Sequence, residues 1–178
     1  MAKLILLSLA AFAFASCSSD DHDEPEDKVK MVSVYYEFRA STELLERVNF
    51  DLYYLDEGGE QRYEHFSFPG TSGLYGSWEM KQIPATFGYY LKATMLDNYY
   101  APMEEPEKWS YTMTMKPTII YASGKREYLA PIESSFSVDC EQPDLAIFNY
   151  INDECRQTGL VQMVDKHGNK KQTRDYVW

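Results

Sequence analysis

Apolar side chains fall on every second residue over long stretches of this chain, and that period constrains the fold more than any other feature. Val32, Val34, Tyr36 and Phe38 alternate with Ser33, Tyr35, Glu37 and Arg39. Successive strand side chains point to opposite faces, so such a run is a strand with one buried face. Val48, Phe50, Leu52 and Tyr54 repeat the pattern, and the Gly-containing turn Asp56–Glu60 leads to a third strand ending in Phe66 and Phe68. Residues 41–46 read as a connection, and Pro69–Gly76, with three glycines and a proline, as a loop. Trp78 and Met80 belong to a short fourth strand. Phe87, Tyr89, Leu91, Ala93 and Met95 mark a fifth, and Trp109, Tyr111, Met113 and Met115 a sixth. A hairpin follows, with Ile119–Tyr121 and Tyr128–Leu129 flanking Ser123-Gly124, then a strand through Ser134, Phe136 and Val138. Leu160–Val164 and Gln172–Trp178 form a last hairpin around Lys166-His167-Gly168-Asn169.

Residues 143–158 break the pattern. Pro143 suits the first turn of a helix, Leu145, Phe148, Ile151 and Cys155 share one helical stripe, and Gly159 suits the cap. Leu145, Ile147, Asn149 and Ile151 also alternate, which leaves a strand open. The chain is expected to be mainly β: an immunoglobulin-like β-sandwich with one helix near the C-terminus, with a lipocalin-like β-barrel as the alternative. Its 15 tyrosines suit half-buried pleated strands.

The N-terminus carries an address. Lys3 precedes the apolar run Leu4–Phe14, too short for a permanent span of about 20 residues. Phe14-Ala15-Ser16-Cys17 then closes it. This resembles the lipobox of bacterial lipoproteins, with Phe14 where leucine is usual. The resemblance implies a signal peptide over 1–16, cleavage before Cys17, and lipid on the Cys17 thiol as the membrane anchor. Six of the ten residues from Ser18 to Asp27 are acidic, so 17–28 is expected to be a solvated tether. The serine-then-acidic run resembles the export signal of surface lipoproteins of the Bacteroidota, which implies display on the outer face of the outer membrane. Residues 29–178 form the expected single β-rich domain. The stretch from Val29 to Tyr63 resembles the opening of small immunoglobulin-like lipoprotein domains from the same bacteria.

The net charge of −11 argues against nucleic acid as a partner and against anionic lipid meeting the body of the domain. With Cys17 lipidated, Cys140 and Cys155 remain as a pair in an exported protein. A disulfide closing a loop of about 15 residues would stabilise the fold by about 3 kcal/mol in the chain-entropy model; two separate buried thiols are the alternative.

Signs of chemistry are few. His22 lies in the tether, His65 in a strand and His167 in a turn, and no pair has zinc spacing. There is no Gly-x-Ser-x-Gly elbow and no Walker loop, and Glu104, Glu105 and Glu107 read as a solvated run. No catalytic residue, metal or cofactor is expected. Tyr99 and Tyr100, beside Asp97 and Asn98, could stack on and hydrogen-bond a sugar, or simply pack at a sheet edge. The expected function is a binding or adhesion module for an extracellular glycan or protein. The alternatives are a structural envelope lipoprotein and a carrier of a small apolar ligand.

Overall fold

The computed structural model describes residues 27–70, 73–80, 82–99, 101–141 and 159–178. The expected signal peptide, Cys17 and the predicted helix over 143–158 lie outside them, as do most of the tether and Cys155. Among the described residues, ten strands and one short helix follow in chain order: β1 (Val29–Ala40), α1 (Thr42–Leu45), β2 (Val48–Leu55), β3 (Gln61–Phe66), β4 (Gly73–Met80), β5 (Ala85–Met95), β6 (Glu107–Tyr121), β7 (Arg126–Tyr128), β8 (Ile132–Cys140), β9 (Leu160–Val164) and β10 (Lys170–Thr173).

These strands form two antiparallel sheets. One runs β4-β1-β6, with β7 and β8 sharing the far edge of β6; the other runs β10-β9-β5-β2-β3. The sandwich expected from the sequence is what forms, and the barrel alternative is not. Neither sheet follows the order of the chain: β1 and β2 sit in opposite sheets, with α1 between them.

The core lies between the sheets, where the alternating residues meet. Val32, Val34, Tyr36 and Phe38 of β1 are fully buried, as are Phe50, Leu52, Phe87, Leu91, Trp109 and Met113. Phe38 joins the layers, with its ring 5.3 Å from Phe50 and 4.6 Å from Phe66. The Tyr36 hydroxyl crosses the sandwich and accepts from the Gly88 amide of β5 at 3.0 Å. Burial pushes the Tyr36 phenol far above its usual range, against the weaker pull of that amide.

Several boundaries differ from expectation. β4 begins at Gly73, inside the predicted loop. It pairs with the edge of β1, and Gly76 leaves the room taken by the Trp78 ring, which a Cβ at 76 would strike. The sixth strand and the first arm of the next hairpin are one strand, β6, which runs through Pro117. Residues 42–45 form a helical turn capped by Ser41, whose Oγ accepts from Leu44 N–H. Phe68 lies beyond β3 and is half exposed, and the last strand ends at Thr173.

Three hairpin turns at one end of the sandwich share a plan. In β2–β3 the Asp56 carboxylate accepts from the Gly58 and Glu60 amides (2.9 and 3.0 Å), and Gly59 takes φ 77°. In β9–β10 Asp165 accepts from the His167 and Asn169 amides (2.8 and 2.9 Å), and Gly168 takes φ 83°. In β6–β7 Gly124 takes φ 88°, but Tyr121 stands where the other turns have aspartate. There the carboxylate comes from elsewhere in the chain: Asp27 accepts from Ser123 N–H at 3.1 Å and from its hydroxyl at 2.5 Å. Ala122 N–H donates to Lys28 O, and Val29 N–H to Lys166 O. The chain thus enters the domain pinned between two turns.

Candidate functional site

Two tyrosine pairs build the most distinctive surface. Tyr53-Tyr54 on β2 and Tyr89-Tyr90 on β5 are ladder neighbours, with Tyr53 opposite Tyr90 and Tyr54 opposite Tyr89. Alternation sends one member of each pair inward. Tyr54 and Tyr89 join the core, so Tyr53 and Tyr90 stand on the outer face. Tyr63 of β3 lies opposite Tyr53. The Tyr53 ring is 5.1 Å from Tyr63 and 6.2 Å from Tyr90. The residues after β10 extend the row: Trp178 stacks near Tyr90 at 6.4 Å, and Tyr176 meets Trp178 edge-on at 4.9 Å. A Cβ at Gly159 would lie 2.8 Å from the Tyr90 ring, so glycine there keeps the stack open. The Trp178 indole N–H is buried without an acceptor among the described residues, which is unusual for tryptophan.

Polar groups flank the row. Asp51 Oδ1 accepts from the Tyr63 hydroxyl and contacts His65 Nδ1, each at 2.8 Å. Lys92 faces Asp51 in the ladder from β5 and is exposed. The hydrogen bond to Asp51 raises the Tyr63 phenol above its usual range. The Asp51–His65 pair sits on an open sheet face beside tyrosine rather than in a cleft with further acids.

The outer face of the other sheet has a different character. It presents Glu37, Arg39, Thr112, Thr114, Glu133 and Ser135 around a shallow hollow, with Glu37 bridged to Arg39 at 2.8 Å and Lys116 at 3.5 Å.

The residues singled out from the sequence lie elsewhere. Tyr99 is half-buried in the turn after β5, its N–H donating to Leu96 O. Tyr100 lies outside the described residues. That turn is held by Arg47, whose guanidinium donates to Asn98 O at 2.9 Å and to Glu107 at 3.2 Å. Glu107 also accepts from the Trp109 indole at 2.9 Å. A cleft of about 640 Å³ opens beside Arg47, walled by Glu43 and the Pro102–Lys108 segment. Glu107 is therefore committed to holding the loop. Cys140 is buried at the end of β8, and its expected partner Cys155 is not among the described residues. His167 contributes its backbone N–H to the Asp165 turn. No three metal-binding side chains converge, and no helix is long and apolar enough to cross a membrane, among the described residues.

The Tyr53–Tyr63–Tyr90 row was missed because each residue reads singly as strand filler. The signal was present in the two Tyr-Tyr pairs, since a strand must turn one of two adjacent tyrosines outward. Searches found no matching family model, no matching curated protein and no matching solved structure.

Proposed function

We propose that the chain is a lipid-anchored outer-membrane lipoprotein, held through Cys17 and displayed at the cell surface. In this reading it is a non-catalytic module that binds an extracellular glycan on the outer face of the β10-β9-β5-β2-β3 sheet. The aromatic row carries the reading. The C–H faces of a sugar ring are apolar and slightly positive, and a tyrosine or tryptophan face is negative, so the two stack. Rings on neighbouring strands recur at about the 4.8 Å strand spacing, which suits successive units of one chain. Asp51, His65 and Lys92 then offer both acceptors and donors to hydroxyls at the side of the row, the few placed polar groups that orient a ligand on an apolar surface. Among the described side chains, the outer face of the opposite sheet carries Tyr35 beneath Lys116 and no such row.

The test is affinity electrophoresis of the purified chain through gels containing soluble neutral and acidic polysaccharides. Retardation by at least one of them is expected. Tyr53→Ala and Tyr63→Ala should abolish it, whereas Thr112→Ala on the other sheet should leave it intact, with circular dichroism showing all three folded. Equal retardation of all variants, or none for the parent, refutes the glycan reading. The anchor is tested separately by metabolic palmitate labelling, which Cys17→Ala should remove.

A further inference from the structure

We propose that two copies of this chain pair through the free edge of β3, in a twofold antiparallel ladder centred on Tyr63, and that the pairing joins their aromatic rows into one. The pairing rests on the edge itself; only its use, a lengthened binding surface, rests on the glycan reading.

β3 ends the β10-β9-β5-β2-β3 sheet, and no strand among the described residues covers its outer side. Asp56 N–H donates to Glu60 O at 2.9 Å, which makes that a bonded pair of the β2–β3 hairpin. Bonded pairs of an antiparallel ladder recur at every second residue. Arg62 therefore spends its backbone groups on Tyr54, and Glu64 on Leu52. The N–H and C=O of Gln61, Tyr63 and His65 then point away from the sheet, a template for another strand. The opposite edge, β10, is guarded: it reads Lys170-Lys171-Gln172-Thr173 and brings no acid to answer a lysine. β3 instead carries both signs, in Gln61-Arg62-Tyr63-Glu64-His65-Phe66. Tyr63 is 53 % exposed on this edge, and Phe68 just beyond the strand is half exposed.

The occupant follows from charge. Open amides must meet open amides, so a second β3 sets Tyr63 opposite the partner's Tyr63 or slips from there in two-residue steps. In the centred register Arg62 faces the partner's Glu64, and symmetry repeats the match on the other side. Slipping one way sets Arg62 against the partner's Arg62, and slipping the other way sets Glu64 against the partner's Glu64. Like charges directly opposite are destabilising, so the centred register is selected. Arg62 and Glu64 share the face of β3 that carries buried Phe66, and an inward charge on an edge strand deters most strands. A second copy of β3 is a strand that answers both charges. Arg62 can serve it, because its Nε donates to Asp56 at 2.6 Å while the side chain stays 57 % exposed. On the other face the row Tyr90, Tyr53 and Tyr63, with rings 6.2 and 5.1 Å apart, runs on into the partner's Tyr63.

The test is sedimentation equilibrium of the purified chain from micromolar to near-millimolar concentration, with circular dichroism showing every variant folded. A reversible monomer–dimer equilibrium is expected. Arg62→Glu and Glu64→Arg should each weaken it at least about tenfold, since each sets like charges opposite one another twice per dimer. An equimolar mixture of those two variants should dimerise again, because every facing pair is then of opposite sign. Thr112→Ala on the other sheet should leave the equilibrium unchanged. A parent that stays monomeric throughout overturns the proposal. So does a dimer indifferent to both charge reversals, or a mixture no more associated than its components. The glycan reading is judged apart from this: a dimer that no polysaccharide retards refutes that reading and spares the pairing, and a retarded chain that never dimerises does the reverse.

Discussion

Single carboxylates decide the local geometry of the hairpins. Burial raises the Asp56 carboxyl, but the Glu60 amide, the Arg62 guanidinium and the Gly58 amide together hold it below the usual carboxylate range. A lowered folded pKa favours the native state above the unfolded value of about 4, and that contribution fades as pH falls through the folded value. Asp56→Ala should therefore cost about 2 kcal/mol at pH 7, with the gap to the parent closing in acid; urea unfolding at several pH values measures both. The phenols act in the opposite direction. Tyr36 is raised by burial, and Tyr121 is pushed up to about 12, chiefly by its hydrogen bond to Glu127. A raised pKa contributes stability below the unfolded value of about 10, lost as pH rises further. Ultraviolet titration should show Tyr36 ionising only with unfolding and Tyr121 ionising late, near pH 12, and Tyr36→Phe should remove the step that accompanies unfolding. At this scale the sequence was half legible. The inward residues of β1 follow from alternation alone. Alternation likewise turns Tyr54 and Tyr89 inward, but that Tyr53, Tyr63 and Tyr90 then line up depends on register, and the return of Trp178 to Tyr90 depends on a chain path that no local pattern encodes.

Elements were legible where period two was unbroken and obscured where one residue contradicted it. The sequence was read as a sixth strand through Met115 and a separate hairpin arm from Ile119; Pro117, which has no N–H to donate, lies between them. In the fold Pro117 sits where β8 has ended and β7 not begun: Met115 pairs with Ile132 and Thr118 with Tyr128. Its carbonyl accepts from Leu129 N–H on that same side, so the absent donor falls in a gap between partners. The first half of β4 was hidden for a related reason: Gly73 and Gly76 resemble loop until the edge of β1 supplies a partner. Amide hydrogen exchange should be slowest in β1 and β6, each paired on both sides, and fastest in β7 and β10 at the edges. Faster exchange in β1 than in β10 would contradict this sheet order.

For the whole molecule, cohesion is concentrated in rings that bridge the two layers. Phe38→Ala removes a fully buried ring that touches β2 and β3 from β1, and should cost about 3–5 kcal/mol. Near- and far-ultraviolet dichroism should still fall together on heating if the layers unfold as one. Two-sheet architecture was readable from the number and spacing of strands. The alignment of Tyr53, Tyr63 and Tyr90 was not, because it arises only when antiparallel pairing sets β2, β3 and β5 side by side. The pinned entry also has a mechanical side. A pull drawn through residue 27 acts along β1, whose ladder to β6 runs from Val29 opposite Tyr121 to Ala40 opposite Tyr111, with β4 gripping the other side from Val32 to Arg39. Backbone bonds perpendicular to the load share it in shear and must yield together, rather than peeling one by one. The strand that leads in from residue 27 is thus the one built to bear tension.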